Sequence, residues 1–299
     1  MPFEELIGHE PAVRLLQGQI ERDQLAHTYL FIGPEGIGKR ALALEFAKAL
    51  ECEGPDLLVV TPEEDSREIK IEQVRQMEAW MSLTPYGGKR KAVILDPADA
   101  LTEESTHACL KILEEPPARS IFILLASAPH RLPATLLSRC HKIRCAPQGI
   151  ARVATALQKE GVDPTVARML AICSGGRLGL ARQFHQSNRL AKRNAALDQI
   201  LAAQKRKDLE NPFPKATRRE VEEYVEWYAS WWRDLLILRL QGDPAWVVHQ
   251  DRLDQLQKTA AAIPVETILA RVDRSYEVQE AVQRNANLRT AIALLLSHD

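Results

Sequence analysis

Thr28-Tyr29-Leu30-Phe31-Ile32-Gly33-Pro34-Glu35-Gly36-Ile37-Gly38-Lys39-Arg40 is the stretch that decides the fold. Its first five residues are a β-rich apolar run, a glycine loop follows, and the Ala/Leu pattern over 40–50 has helical period. Strand, loop and helix in that order are the setting that G-x-x-x-x-G-K-[ST] requires. In such a loop backbone N–H groups face phosphate, the Lys reaches the outer phosphate oxygens, and the Ser/Thr hydroxyl holds Mg²⁺. The motif runs intact from Gly33 to Lys39 and fails at its last position, because Arg40 has no lone pair to offer a metal. The chain therefore hydrolyses a nucleotide, only binds one, or has kept the fold for another purpose.

Working outward, residues 71–80 read as a helix, 91–96 as a buried strand, 102–115 as a helix stopped by Pro116-Pro117, and 121–126 as another buried strand. Continuous apolar strands alternating with helices imply a parallel sheet covered on both faces, so the first half is α/β. After about Pro147 no further strand is expected. Short helices punctuated by Gly161, Pro164 and Ser174-Gly175-Gly176 fill the stretch to about Lys207. The charged, proline-bearing stretch 205–215 suits a linker. The last third is helical, with Trp227, Trp231, Trp232 and Trp246 expected as core aromatics, the alternative being an exposed subunit-packing face.

Bulk properties narrow the function. The chain has 299 residues, enough for two or three domains, and 39 basic residues against 40 acidic ones, a balance that argues against a protein whose main work is wrapping a nucleic acid. Lys89-Arg90-Lys91 is expected to be a solvated turn; it and Arg218-Arg219 are the places where a few phosphate contacts are conceivable. Cys52, Cys109, Cys140, Cys145 and Cys173 form no C-x-x-C pair, so neither a disulfide framework nor zinc is expected. The N-terminal stretch lacks the pattern of an export signal and no run is long enough to span a membrane, so a cytoplasmic home is expected.

Asp96 ends an apolar strand, where a P-loop ATPase places its metal-coordinating acid. The following residue, usually the water-activating Glu, is Pro97, which can neither accept a proton nor orient water. Asp99 is the nearest carboxylate and is expected to cap the helix beginning near Thr102, the alternative being a catalytic base. Ser127, just after the next strand, stands where a polar sensor meets a γ-phosphate, or is simply a strand-end turn residue. Arg139, in Leu137-Ser138-Arg139-Cys140, would on its own be read as a solvated arginine.

Its company changes that reading. Leu110-Lys111-Ile112-Leu113-Glu114-Glu115-Pro116-Pro117, then Ile123-Leu124-Leu125-Ala126-Ser127, then Leu132-Pro133-Ala134-Thr135-Leu136-Leu137-Ser138-Arg139-Cys140 follow in close order. From Leu6-Ile7-Gly8 to Cys140 the sequence resembles the clamp-loader branch of the AAA+ proteins, and within it the degenerate, non-motor subunits of bacterial DNA polymerase III. The resemblance implies a RecA-like P-loop domain over 1–147, a small helical lid over 148–207 and an all-α collar domain over 208–299. It implies that Arg139 acts in trans as an arginine finger at a neighbour's ATP. It also implies a five-membered ring with ATPase subunits and a delta subunit, reaching a sliding clamp and primed DNA through the assembly. In Ser174-Gly175-Gly176-Arg177-Leu178-Gly179-Leu180-Ala181, Gly179 falls where the family has its second sensor Arg, with Arg177 two residues away. The four-cysteine zinc knuckle of many relatives is absent.

By this reading Gly33, Gly36, Gly38, Lys39, Arg40, Asp96 and Ser127 form a degenerate nucleotide site without a Mg²⁺ ligand set. Whether ATP or ADP still binds stays open: Arg40 either pairs with a phosphate in place of the metal or fills the pocket. The rival readings are an active ATPase of the same branch, a P-loop kinase of small molecules, and a free-standing DNA-binding module.

Overall fold

The computed structural model describes residues 2–4, 6–63, 66, 68–87, 89–206, 212–284 and 286–297. The expected boundary at 207/208, and with it residues 207–211 of the expected linker, lies outside them. The chain divides into two compact units, Met1–Ala156 with Gly175–Leu180, and Leu157–Ser174 with Ala181–Asp299.

The first unit is built on a five-stranded sheet in the order β2-β3-β4-β1-β5, every adjacent pair parallel. Three strands lie where the apolar runs predict them: β1 (Thr28–Ile32), β3 (Lys91–Leu95) and β4 (Ser120–Ala126). Two more flank them, β2 (Leu57–Val60) and β5 (His141–Arg144). Alternate side chains of the inner strands enter opposite cores. Tyr29 and Phe31 of β1 pack with Leu42, Ala43 and Phe46 of α2 (Lys39–Ala49) and Leu16 of α1 (Glu10–Glu21). Leu30, on the other face, joins Val74 and Met77 of α3 (Ile71–Met81) and Cys109 and Ile112 of α4 (Glu103–Glu114). With helices on both faces, the inner strands have no polar side to show, which is why they read as unbroken apolar runs.

The second unit is helical. It holds α7 (Pro164–Cys173) and the five helices α9 (Arg189–Arg206), α10 (Arg218–Arg239), α11 (Leu253–Ala262), α12 (Val265–Gln283) and α13 (Leu288–Leu296). Two helices, α6 (Ile150–Lys159) and α8 (Leu178–Gln186), contribute residues to both units. Among the described residues no strand follows β5. Helix α10 opens with a capping box, in which Thr217 and Glu220 each bond the other's backbone N–H. Its Trp227, Trp231 and Trp232 are buried as expected, in one core with Leu197 and Ile200 of α9, Leu256, Ile268 and Leu295. Trp246 departs from expectation: it lies in a 3-10 turn after α10 and is 67% exposed. Lys91 departs as well. It is buried rather than part of a solvated turn, its Nζ donating to Trp80 O at 2.8 Å and lying 4.1 Å from the Trp80 ring.

Candidate nucleotide site and trans-acting arginine

Strand β1 lies between β4 and β5, so its C-terminal end delivers the loop Gly33–Gly38 to the mouth of the sheet, the place where open α/β sheets bind ligands. Gly36 and Gly38 have φ of +73° and +108°, a left-handed backbone that other residues adopt only with strain. Helix α2 begins immediately at Lys39, and its first-turn N–H groups have no partner within the helix. This is the frame of an anion cradle.

The chain's own atoms occupy the functional groups of that frame. Lys39 Nζ donates to Gly33 O at 2.6 Å, Pro34 O at 3.1 Å and Ser127 Oγ at 2.8 Å, which accounts for all three ammonium hydrogens. Burial pulls the Lys39 pKa below its ordinary value, against the opposing pull of Cys145, Asp96, Asp99 and Glu35. Arg40 Nη1 lies 3.6 Å from Asp96 Oδ2, so the strand-end acid faces a guanidinium. Burial pushes the Asp96 carboxyl up; Arg40 and Lys39 pull it back and Asp99 adds to the push, with the net result above the ordinary carboxylate value. These residues do not fit Mg²⁺. A cation is already built into the position of the metal-binding hydroxyl, and Pro97 leaves no acid behind it.

Asp99 does not cap α4. Thr102 does, its side chain accepting from Ser105 N at 3.2 Å. Asp99 instead accepts from Ser127 N at 3.1 Å and Ala128 N at 3.0 Å, pinning the turn that carries Ser127 toward Lys39. A cap needs its oxygen over the first helical turn, and Thr102 already holds that position; three residues earlier, Asp99 is in a separate 3-10 turn. His9 is a site residue without a sequence signal: its buried ring Nε2 lies 3.0 Å from Ile37 O. A single histidine outside any spacing pattern reads as an ordinary core residue.

Residues 175–180, part of the same unit, close on the loop. Leu180 N donates to Gly36 O at 3.3 Å, and a Cβ built on Gly179 would stand 2.9 Å from Gly36 O. Gly179 thus touches the glycine-loop backbone, with no room for a side chain unless something shifts.

The structure brings Gly33, Gly36, Gly38, Lys39, Arg40, Asp96 and Ser127 together around one loop. Arg139 makes its contacts elsewhere. It caps the C-terminus of α5 (Ala134–Ser138), donates from Nη1 to Thr135 O at 2.7 Å and from Nη2 to Glu114 Oε1 at 2.6 Å, and keeps 36% side-chain exposure. Of the basic residues at which phosphate contacts were conceivable, Arg218 donates to Val282 O and Ala286 O, and Arg90 pairs with Asp23. Among the described residues, no three His, Cys, Asp or Glu side chains converge on a metal position. No helix among them is long and apolar enough to cross a membrane.

Fold and site together define an α/β domain with a P-loop-type strand, glycine loop and helix, in which Arg40 stands at the metal-ligand position of the motif. Family models described as "DNA polymerase III, delta subunit" match residues 8–57 and 53–149, and "DNA polymerase III, delta subunit, C terminal" matches 187–297. A Yersinia pestis DNA polymerase III subunit delta' is 30% identical, over 86% of this chain and 84% of that protein. Its Pseudomonas aeruginosa counterpart is 28% identical over 91% and 90%. The Bacillus subtilis DNA polymerase III subunit tau is 32% identical, over 47% of this chain and 28% of its own length. A Thermotoga maritima RuvB structure aligns more distantly, with 18% identity over 93% of this chain and 90% of that one and a TM-score of 0.48. The chain belongs to the delta' family of DNA polymerase III clamp-loader subunits.

Proposed function

We propose that this chain is a clamp-loader subunit that does not hydrolyse ATP and lends Arg139 to the ATP site of a neighbouring subunit. The observation that carries the non-hydrolysing half is the Arg40–Asp96 pair at 3.6 Å, which sets a guanidinium where a motor subunit keeps a metal ligand. Pro97 and the closure of residues 175–180 on Gly36 support the same reading. The finger half rests on the S-R-C resemblance and on the exposed position of Arg139 at the end of a short helix. In this reading the chain has a RecA-like domain over 1–147, a lid over 148–207 and a collar domain over 208–299. It assembles in a ring of five with tau/gamma-type ATPase subunits and a delta subunit, and through that ring serves sliding-clamp loading on primed DNA. An arginine finger accelerates phosphoryl transfer by stabilising charge that grows in the transition state, and such a group contributes about 10³–10⁵ in rate.

The test is clamp- and primed-DNA-stimulated ATP turnover in the reconstituted ring, comparing the chain with Arg139→Ala and checking assembly by sizing. Turnover at the adjoining site is expected to collapse while the ring still forms, and the chain alone to show none. Unchanged turnover and loading would make the chain a spacer with no catalytic contribution.

A further inference from the structure

Two of the three sequence stretches that carry the family resemblance are joined by an ion pair. Glu114, the last residue of α4, belongs to L-K-x-L-E-E-P-P; Arg139 belongs to S-R-C; Glu114 Oε1 accepts from Arg139 Nη2 at 2.6 Å. Thr135 O takes a second guanidinium hydrogen, from Nη1, at 2.7 Å. A guanidinium has five N–H groups. These contacts use one on each terminal nitrogen, so three N–H groups, including that of Nε, remain for another acceptor. Neither partner is buried, the side chains being 36% and 52% exposed.

A carboxylate so placed either withholds the arginine or braces it, and magnitudes separate the two. An ion pair this exposed shifts its partner by no more than about fivefold. A phosphoryl group that gains about 10³–10⁵ from the arginine would displace such a competitor at little loss. Fixing a free arginine side chain, by contrast, costs about 30-fold in rotamer freedom, and a brace removes part of that cost before the neighbour's nucleotide arrives. We propose that Glu114 is a positioning residue, holding the Arg139 guanidinium by one edge so that its free N–H groups are presented to a phosphoryl group in the adjoining subunit. The proposal rests on the reading of Arg139 as a finger.

The experiment uses the reconstituted ring with four versions of this chain: native, Glu114→Ala, Arg139→Ala and the double variant, each sized for assembly. Glu114→Ala is expected to lower kcat of the Arg139-dependent turnover by about 3- to 30-fold, the range set by arginine rotamer freedom. KM for ATP should stay as it is, because the neighbour binds the nucleotide. Glu114→Gln, which keeps an acceptor oxygen, should retain most of the activity. The double variant should be no worse than Arg139→Ala alone, since Glu114 acts only through Arg139. Turnover unchanged or raised by Glu114→Ala overturns the proposal and leaves the finger reading standing. Losses that multiply in the double variant overturn it too, by showing a structural role. If Arg139→Ala itself leaves turnover intact, the finger reading fails and takes the brace with it.

Discussion

At the scale of single residues, the phosphate-loop lysine has become a staple. Its three hydrogen bonds join the loop's carbonyls to Ser127, so Lys39→Met leaves three acceptors to find other donors. We expect this variant to lose about 1–3 kcal/mol of stability with no nucleotide present, measured by urea unfolding of the whole chain. A lysine waiting for phosphate would cost nothing to remove. Arg40→Thr restores the hydroxyl and frees Asp96 of its guanidinium. Binding of a fluorescent ATP analogue should then become Mg²⁺-dependent and strengthen by about tenfold or more, a change typical of a hydrogen bond to a charged group, while hydrolysis stays absent because Pro97 supplies no base. Equal binding with and without Mg²⁺ would show that the loop closure, not Arg40, excludes the metal. Arg40 and Pro97 were legible in the sequence because a motif fixes what each position must do. The role of Asp99 was not, since a carboxylate near a helix start has several backbone N–H groups within reach and only the fold selects Ser127 and Ala128.

At the scale of elements, legibility follows burial. Strands β1, β3 and β4 are inner strands covered on both faces, and their apolar runs announce them. The two edge strands do not. In β5, His141-Lys142-Ile143-Arg144, only Ile143 is buried, and its charged residues suit an edge that must not pair with another chain. In β2, Leu57-Leu58-Val59-Val60, four residues directly after a 3-10 turn are too short a run to separate from a turn by periodicity. Helix α1 escaped for a similar reason: its start at His9 has no side-chain cap to mark it. The start of α8 makes a prediction at this scale. Because a Cβ on Gly179 would meet Gly36 O at 2.9 Å, Gly179→Ala should push residues 175–180 off the loop and break the Leu180 N to Gly36 O bond. Amide hydrogen exchange at Leu180 should accelerate about tenfold or more, the equivalent of roughly 1.4 kcal/mol of local opening. Unchanged protection would mean that the loop backbone yields instead.

At the scale of the whole molecule, each unit carries a titrating group shifted by burial, half-buried Asp96 in one and fully buried His249 in the other, with opposite effects on stability. In the α/β unit the folded-state pKa of Asp96 is raised, so folding binds more protons than the unfolded chain between the ordinary aspartate value and the raised one. Stability from this group falls as pH rises through that window. In the helical unit His249 is fully buried beside Asp234, whose Oδ2 accepts from His249 Nδ1 at 2.8 Å and from the backbone N–H groups of Val248 and His249. Its Nε2 is buried without a partner. Burial lowers the His249 pKa; the bond to Asp234 and the charge of Asp251 oppose this, and Arg193 adds to the lowering. Here the unfolded chain binds more protons, so stability is fully present above pH of about 6.5 and is lost as pH falls toward the folded value. The helical unit should therefore weaken on mild acidification while Asp96 pulls the α/β unit the other way. Four of the five tryptophans, Trp227, Trp231, Trp232 and Trp246, belong to the helical unit, so intrinsic fluorescence follows it selectively. We expect its thermal midpoint to drop by a few degrees between pH of about 7 and about 5. His249→Gln has no titrating ring and an amide N–H that can still reach Asp234, and it should flatten that drop. A drop of the same size in the variant would trace the acid sensitivity to other groups, because the proton taken up by a partnerless Nε2 is the only one this substitution removes.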